Sequence, residues 1–173
     1  YKRVDAVYIA SPFYTHYEYA LNALNAGRHV LCETPLTENL LQSKELYAIA
    51  EKNGLVFMPA LKTAYAPSFA NVIQEALSGV IGEVVDISAT VTTLLPQTKT
   101  VGFNNERMMD NAYYDLLVIL KILGENIQKV SAFTRTDDAK VLYLNTHLQY
   151  EEAVGHVKAG TGVKSESSLV ISG

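Results

Sequence analysis

Two side chains one helical turn apart could share a proton. Asp110 and Tyr114 lie in a stretch where Met109, Ala112, Tyr113, Leu116, Leu120 and Leu123 recur at helical spacing up to Gly124. A carboxylate and a phenol at i and i+4 occupy one helix face and can both reach a single hydroxyl. That is a pairing suited to general acid–base work, the removal or return of a hydroxyl proton. A free tyrosine titrates at about 10, so a tyrosine acting as a base near neutrality needs a cation beside it. Lys62, at the end of a predicted strand, is the local candidate. The bland alternative is that Tyr113 or Tyr114 fills a helix–sheet core while the other meets water.

A second group of candidates sits at strand tips. From Val4 to Leu36 the chain reads as strand, helix, strand. VDAVYIA is an apolar run of the kind a strand buried on both faces needs, and Ser11-Pro12 ends it, because proline has no amide for the ladder. Thr15 and Glu18 have the form of a capping box, Tyr17, Ala20, Leu21 and Leu24 follow at helical spacing, and Gly27 stops the helix. HVLC is then a neighbouring parallel strand reached by a right-handed crossover. In such sheets ligands lie outside the carboxyl ends of strands. Those ends are Ser11-Pro12 and Glu33-Thr34-Pro35, with His16 placed either to touch a ligand there or to cap its own helix.

These residues also carry a resemblance. ASPFYTH followed by ALNALNAGRHVLCETPL resembles the Gfo/Idh/MocA family of glucose-fructose oxidoreductase and myo-inositol dehydrogenase, whose members carry (S/T)P-x-x-x-H and then AGKHVLxEKPL. The resemblance implies a Rossmann domain for NAD or NADP and an α+β domain with a broad open sheet that carries substrate contacts and commonly a dimer interface. It makes Ser11, Pro12, His16, Glu33 and Thr34 cofactor-side residues, and it places Asp110 and Tyr114 on the helix whose Asp and His line the substrate site in the family. Weaker likenesses continue in KTAYAPSF and in SGVIGEVVDISATVTTL. Two departures stand out. Thr34 replaces the family's catalytic lysine, and Glu106, Arg107 and Met108 replace a glycine run ahead of the substrate helix, with Leu117 where a second acid is common.

Composition narrows the classes. With 173 residues, 49% of them hydrophobic, the chain can fill one good core or parts of two. No apolar run approaches the roughly 20 residues of a membrane span and no signal peptide is evident, so a soluble, cytoplasmic protein without a membrane partner is expected. A net charge of -4 with scattered basic residues gives no footprint for nucleic acid. The eleven tyrosines fall at helical or strand periods and make no stacking platform. Cys32, the single cysteine, reads as a packed core thiol. His29 reads as structural, and His147 and His156 lack metal-ligand spacing, so no metal is expected.

The expected fold is α/β: the C-terminal half of a Rossmann domain over residues 1–62, then an α+β domain over 63–173 with a large open, mainly antiparallel sheet. Thr37 is the expected cap of a second helix that ends at Asn53-Gly54, LVFMPAL a third strand whose Pro59 suits a strand end or an edge position, and Ser68 the opening of a third helix. Val85, Ile87, Ala89 and Val91 alternate with polar residues along one strand, which implies an antiparallel sheet with one wet face. Residues 95–105 read as a mobile loop, and three later segments read as further strands. The apolar residues Val141, Leu142, Tyr143, Leu144, Leu148 and Val157 point to a covered sheet face and hence to a homo-oligomer, a dimer or tetramer.

No G-x-G-x-x-G follows a strand, and the chain opens without Met on a mid-domain strand and stops within another. It reads either as part of a longer protein or as a short protein without a dinucleotide site. The function implied by the resemblance is an NAD(P)-dependent dehydrogenase acting on a sugar, cyclitol or nucleotide-sugar hydroxyl. The alternative, which Thr34 favours, is a catalytically weakened sugar-binding or assembly subunit.

Overall fold

The computed structural model describes residues 3–94, 101–137 and 140–173, with the side chains of 101–107 and 140 left aside. The chain divides into two compact units, Tyr1–Lys62 and Thr63–Gly173.

In the first unit β1 (Ala6–Ile9), β2 (His29–Cys32) and β3 (Phe57–Pro59) pair in that order, all parallel. α1 (His16–Asn25) joins the first pair and α2 (Leu40–Lys52) the second. Ile9, Val30, Cys32 and Phe57 from the strands enclose Ala20 and Leu24 of α1 and Leu46 and Ala50 of α2. Truncating a fully enclosed leucine such as Leu24 or Leu46 to alanine costs about 2–5 kcal/mol in cores of this kind. β1 is the outer strand here, and its Ala6 and Tyr8 are exposed, so the expectation of burial on both faces holds only for Ile9.

Both expected helix caps are corrected. The chain enters α1 through a 3-10 turn, Phe13–Thr15, which leaves Thr15 in helical dihedrals. Its hydroxyl therefore turns back to Pro12 O at 2.6 Å and meets Ser11 Oγ at 2.6 Å, and caps no amide of α1. At α2 the cap is Asn39, whose Oδ1 accepts the Gln42 N–H at 3.1 Å, while Thr37 Oγ1 donates to Asn39 O at 2.9 Å. Gly27, with φ of 73°, ends α1 in the left-handed conformation that a side chain would disfavour.

In the second unit α3 (Pro67–Leu77) starts with proline at its first turn, so Ala66 and not Ser68 stands before it. β4 (Asp86–Thr92), β5 (Lys129–Asp137), β6 (Lys140–Gln149), β7 (Val154–Gly160) and β8 (Ser168–Ser172) form one open sheet in the order β5-β6-β7-β4-β8. The β4–β7 pair is parallel and the other pairs antiparallel. α4 (Val101–Leu123) lies against β4, β6 and β7. Of the loop expected over 95–105, residues 95–100 fall outside the described residues, and from Val101 onward the chain is already helix.

The core of this unit is Ile87 and Ala89 of β4, Leu148 of β6, Val157 of β7, and Val118 and Ile119 of α4, with Tyr150 from the β6–β7 connection. Leu148 and Val157 are thus covered by α4, not by another subunit, because strand alternation sends them to the helix side. They give no support to the apolar outer face expected from sequence. On the opposite side Asp86 Oδ2 meets His156 Nε2 at 3.1 Å, and the rings of His147 and His156 stand edge to face with centroids 4.6 Å apart.

Candidate functional site

In the first unit the strand tips carry the candidates. The β1–β2 ladder closes with the Glu33 N–H bonded to Ile9 O at 2.9 Å. Beyond it come Ser11-Pro12 on one strand and Glu33-Thr34-Pro35 on the other, where proline ends the supply of ladder amides. Ser11, Glu33 and Thr34 are half-buried, Pro12 is exposed, and the Thr34–Pro35 peptide is cis. The Glu33 carboxylate accepts the Tyr8 hydroxyl. That bond, more than burial or the Glu33 charge, holds the Tyr8 phenol above its ordinary pKa. Sequence reasoning passed over Tyr8 because a tyrosine inside a strand looks like packing. The structure instead exposes it at 57% and ties it to a strand-tip acid.

His16 is enclosed, at 2% exposure, with both ring nitrogens against backbone carbonyl oxygens. It therefore offers no free nitrogen to a ligand, nor does it cap α1. His29 is structural: its Nδ1 accepts the Val56 N–H at 2.9 Å and joins the starts of β2 and β3. Cys32 is fully buried, and burial, aided by the neighbouring Glu33 charge, pushes its thiol up to about 12, so it stays protonated and inert.

Lys62 ends the first unit and is exposed. Asp110 and Tyr114 belong to the second, both on α4, half-buried and one turn apart. Neighbouring Tyr113 differs: burial, and after it the Asp110 charge, raises its pKa above the ordinary value, so the phenol holds its proton. The other face of α4 holds what sequence reasoning missed. Asp115 is 4% exposed and Asn111 8%, one turn apart and turned inward. Asp115 Oδ2 and Asn111 Nδ2 have no hydrogen-bond partner among the described residues. Burial carries the Asp115 carboxyl up to about 7 against the opposing effect of a hydrogen bond from the Val91 amide. The signal available in sequence was two polar residues at helical spacing on the apolar side of an amphipathic helix.

Among the described residues no group of three or more His, Cys, Asp or Glu side chains could hold a metal ion. Nor is any of their helices long and apolar enough to cross a membrane.

A parallel β-α-β layer, followed by a helix-backed open sheet, defines a class of α/β proteins with a Rossmann-like sheet and a second α+β domain. Residues 1–61 match the model of the GFO_IDH_MocA oxidoreductase family, NAD-binding Rossmann fold. The chain is 48% identical over 65 residues to the scyllo-inositol 2-dehydrogenase (NADP(+)) IolU of Bacillus subtilis, an alignment covering 38% of this chain and 20% of that protein. It is 31% identical over 136 residues to a dTDP-3,4-didehydro-2,6-dideoxy-alpha-D-glucose 3-reductase of Actinomadura kijaniata, covering 76% and 41% respectively. The crystal structure of KijD10, a 3-ketoreductase from Actinomadura kijaniata in complex with TDP-benzene and NADP, matches with a TM-score of 0.87 at 28% identity, over 100% of this chain and 54% of that one. The chain thus spans about half the length of the curated relatives it matches, or less. Residues 1–61 belong to the Gfo/Idh/MocA family of oxidoreductases, and the chain beyond them is similar to a 3-ketoreductase of the same two-part fold.

Proposed function

We propose that this chain is the part of an NAD(P)-dependent oxidoreductase that supplies the second half of the nicotinamide-cofactor layer and much of the substrate domain. The observation that carries the reading is the parallel β1-β2-β3 layer with Ser11-Pro12 and Glu33-Thr34-Pro35 at adjacent tips, within the segment that matches the NAD-binding family. The substrate class is a sugar, cyclitol or nucleotide-sugar, drawn from an inositol dehydrogenase and a dTDP-sugar reductase among the relatives. In the oxidising direction a hydride leaves the carbinol carbon for the nicotinamide ring while the hydroxyl proton passes to a base. Asp110 and Tyr114 are assigned that proton, and Ser11, Pro12, Glu33 and Thr34 face the cofactor. The working protein is a cytoplasmic homo-oligomer.

A second reading has its own support in Thr34, which carries a hydroxyl but no positive charge where the family resemblance implies a lysine. A threonine can orient a hydroxyl or a water but cannot stabilise a developing alkoxide by charge. On this reading the protein binds sugar and cofactor with little turnover.

The experiment is a nicotinamide oxidation and reduction assay on the full-length protein, with NAD and NADP forms against inositols, free sugars and dTDP-sugars. Turnover above about 1 per second, the low end of ordinary enzymes, supports the dehydrogenase. Binding of cofactor and sugar by calorimetry without turnover supports the second reading.

A further inference from the structure

His16 Nδ1 lies 2.7 Å from Pro35 O, and Nε2 lies 2.9 Å from Ser11 O. The two oxygens belong to different strand tips, Ser11 following β1 and Pro35 following β2. A carbonyl that has left the ladder needs a donor. Both oxygens lie beyond the last ladder residues, Ile9 and Cys32, and one side chain meets the two of them. Carbonyl oxygens only accept, so a ring nitrogen that carries a proton donates to the tip it faces, and the ring touches both tips at once. The Phe13 ring meets the imidazole edge to face, with centroids 6.0 Å apart, and helps close the site.

We propose that His16 is a positioning residue, a clip that joins the β1 tip to the β2 tip and fixes the spacing between Ser11 and Thr34-Pro35 across which the nicotinamide half of the cofactor lies. What occupies the crevice rests on the oxidoreductase reading above; the clip itself does not. His16 touches no ligand in this arrangement. It acts through the two backbone segments it holds.

The test has two arms. In the chain labelled with nitrogen-15 histidine and carbon-13 carbonyls, the His16 ring should show a coupling across a hydrogen bond to the Ser11 or the Pro35 carbonyl. No coupling to either overturns the clip. In the full-length protein, His16→Leu, which removes both ring nitrogens, should raise the cofactor KM by about 10- to 100-fold, the scale of an ångström-sized misplacement, with kcat at saturating cofactor much less affected. His16→Gln, whose amide carries two N–H donors, should recover part of that loss. An unchanged cofactor KM in a folded variant overturns the positioning role, since a residue needed only for packing would lower the melting temperature and leave KM alone. If the leucine variant does not fold, the glutamine variant and the labelled ring decide. If the unaltered full-length protein binds no nicotinamide cofactor, the oxidoreductase reading fails, and the ring signals still decide the clip.

Discussion

The Asp115 carboxylate on α4 accepts the backbone N–H of Val91 near the end of β4, and its Oδ2 has no partner among the described residues. The strand residues that share a core with α4 include Ile87, Ala89, Leu148 and Val157, and these core positions present it with no cation. The acid is accordingly stable in its neutral form, with its pKa near 7. Its folded pKa lies above its unfolded one, so the unfolded chain sheds this proton first as pH rises. The stabilising contribution is full below about pH 4, shrinks between about 4 and 7, and is gone above that window. The size is a few kcal/mol by linkage. Denaturant melts at pH 5 and pH 8 should show the unaltered protein losing stability over that interval. Asp115→Asn, which keeps an acceptor for Val91 but cannot ionise, should lose markedly less. Equal slopes in the two proteins would refute the assignment.

Gly155 on β7 stands beneath Ile119 of α4, and a Cβ placed there would come 2.7 Å from Ile119 Cγ2. That methyl belongs to a fully buried side chain and has little room to retreat. Gly155→Val should destabilise the fold by about 1–3 kcal/mol through overpacking. Paired replacement of Ile119 by alanine should return part of the loss. Thermal melts of the two variants check it, and a Gly155→Val protein as stable as the parent would show that α4 shifts freely on the sheet.

The caps offer a cleaner comparison, since two threonines expected to serve are replaced by other arrangements. Asn39→Ala should cost about 1 kcal/mol, the usual value of a side-chain cap, because the Gln42 amide loses its acceptor. Thr15→Ala removes no cap and should leave α1 helicity unchanged. Hydrogen exchange at Gln42 and Glu18 reads the two sites separately.

The caps and the strands differ in the range of the signals that set them. The parallel β1-β2-β3 layer follows from apolar runs cut by Ser11-Pro12 and Thr34-Pro35 and from Gly27, all of them local signals. The hydroxyl of Thr15 answers to a 3-10 turn that no spacing rule announces. His16 shows the same limit more sharply: its place in the motif marked it, but its partners Ser11 O and Pro35 O are backbone atoms brought together only by the crossover. Asp115 and Asn111 were hidden for another reason. The helical pattern was read from the apolar residues, and two polar residues turned toward the sheet break it without saying what they face. Of the apolar residues expected on the outer sheet face, Leu148 and Val157 pack under α4, because which side of the strand a residue takes depends on a register that apolarity alone does not reveal.

The last prediction separates Tyr114 from Tyr113. The two phenols are adjacent on α4, yet burial and the Asp110 charge keep Tyr113 protonated, which unfits it as a base near neutrality. Tyr114 shares a helix face with Asp110 at one turn's spacing, so the chemical step, if the full-length protein has one, should depend on it. Tyr114→Phe is expected to lower kcat by about 10²- to 10⁴-fold, the usual loss for one acid–base group, with little change in cofactor KM. Tyr113→Phe should leave kcat within a few-fold of the parent. Thr34→Lys supplies the reciprocal measurement: restoring a cation at the β2 tip should raise turnover modestly if the enzyme is working below the capacity of its fold. Should Tyr114→Phe and Tyr113→Phe behave alike in steady-state kinetics, the phenol is not the proton carrier. The role would then pass to Asp110 alone, which Asp110→Asn would test with the same assay.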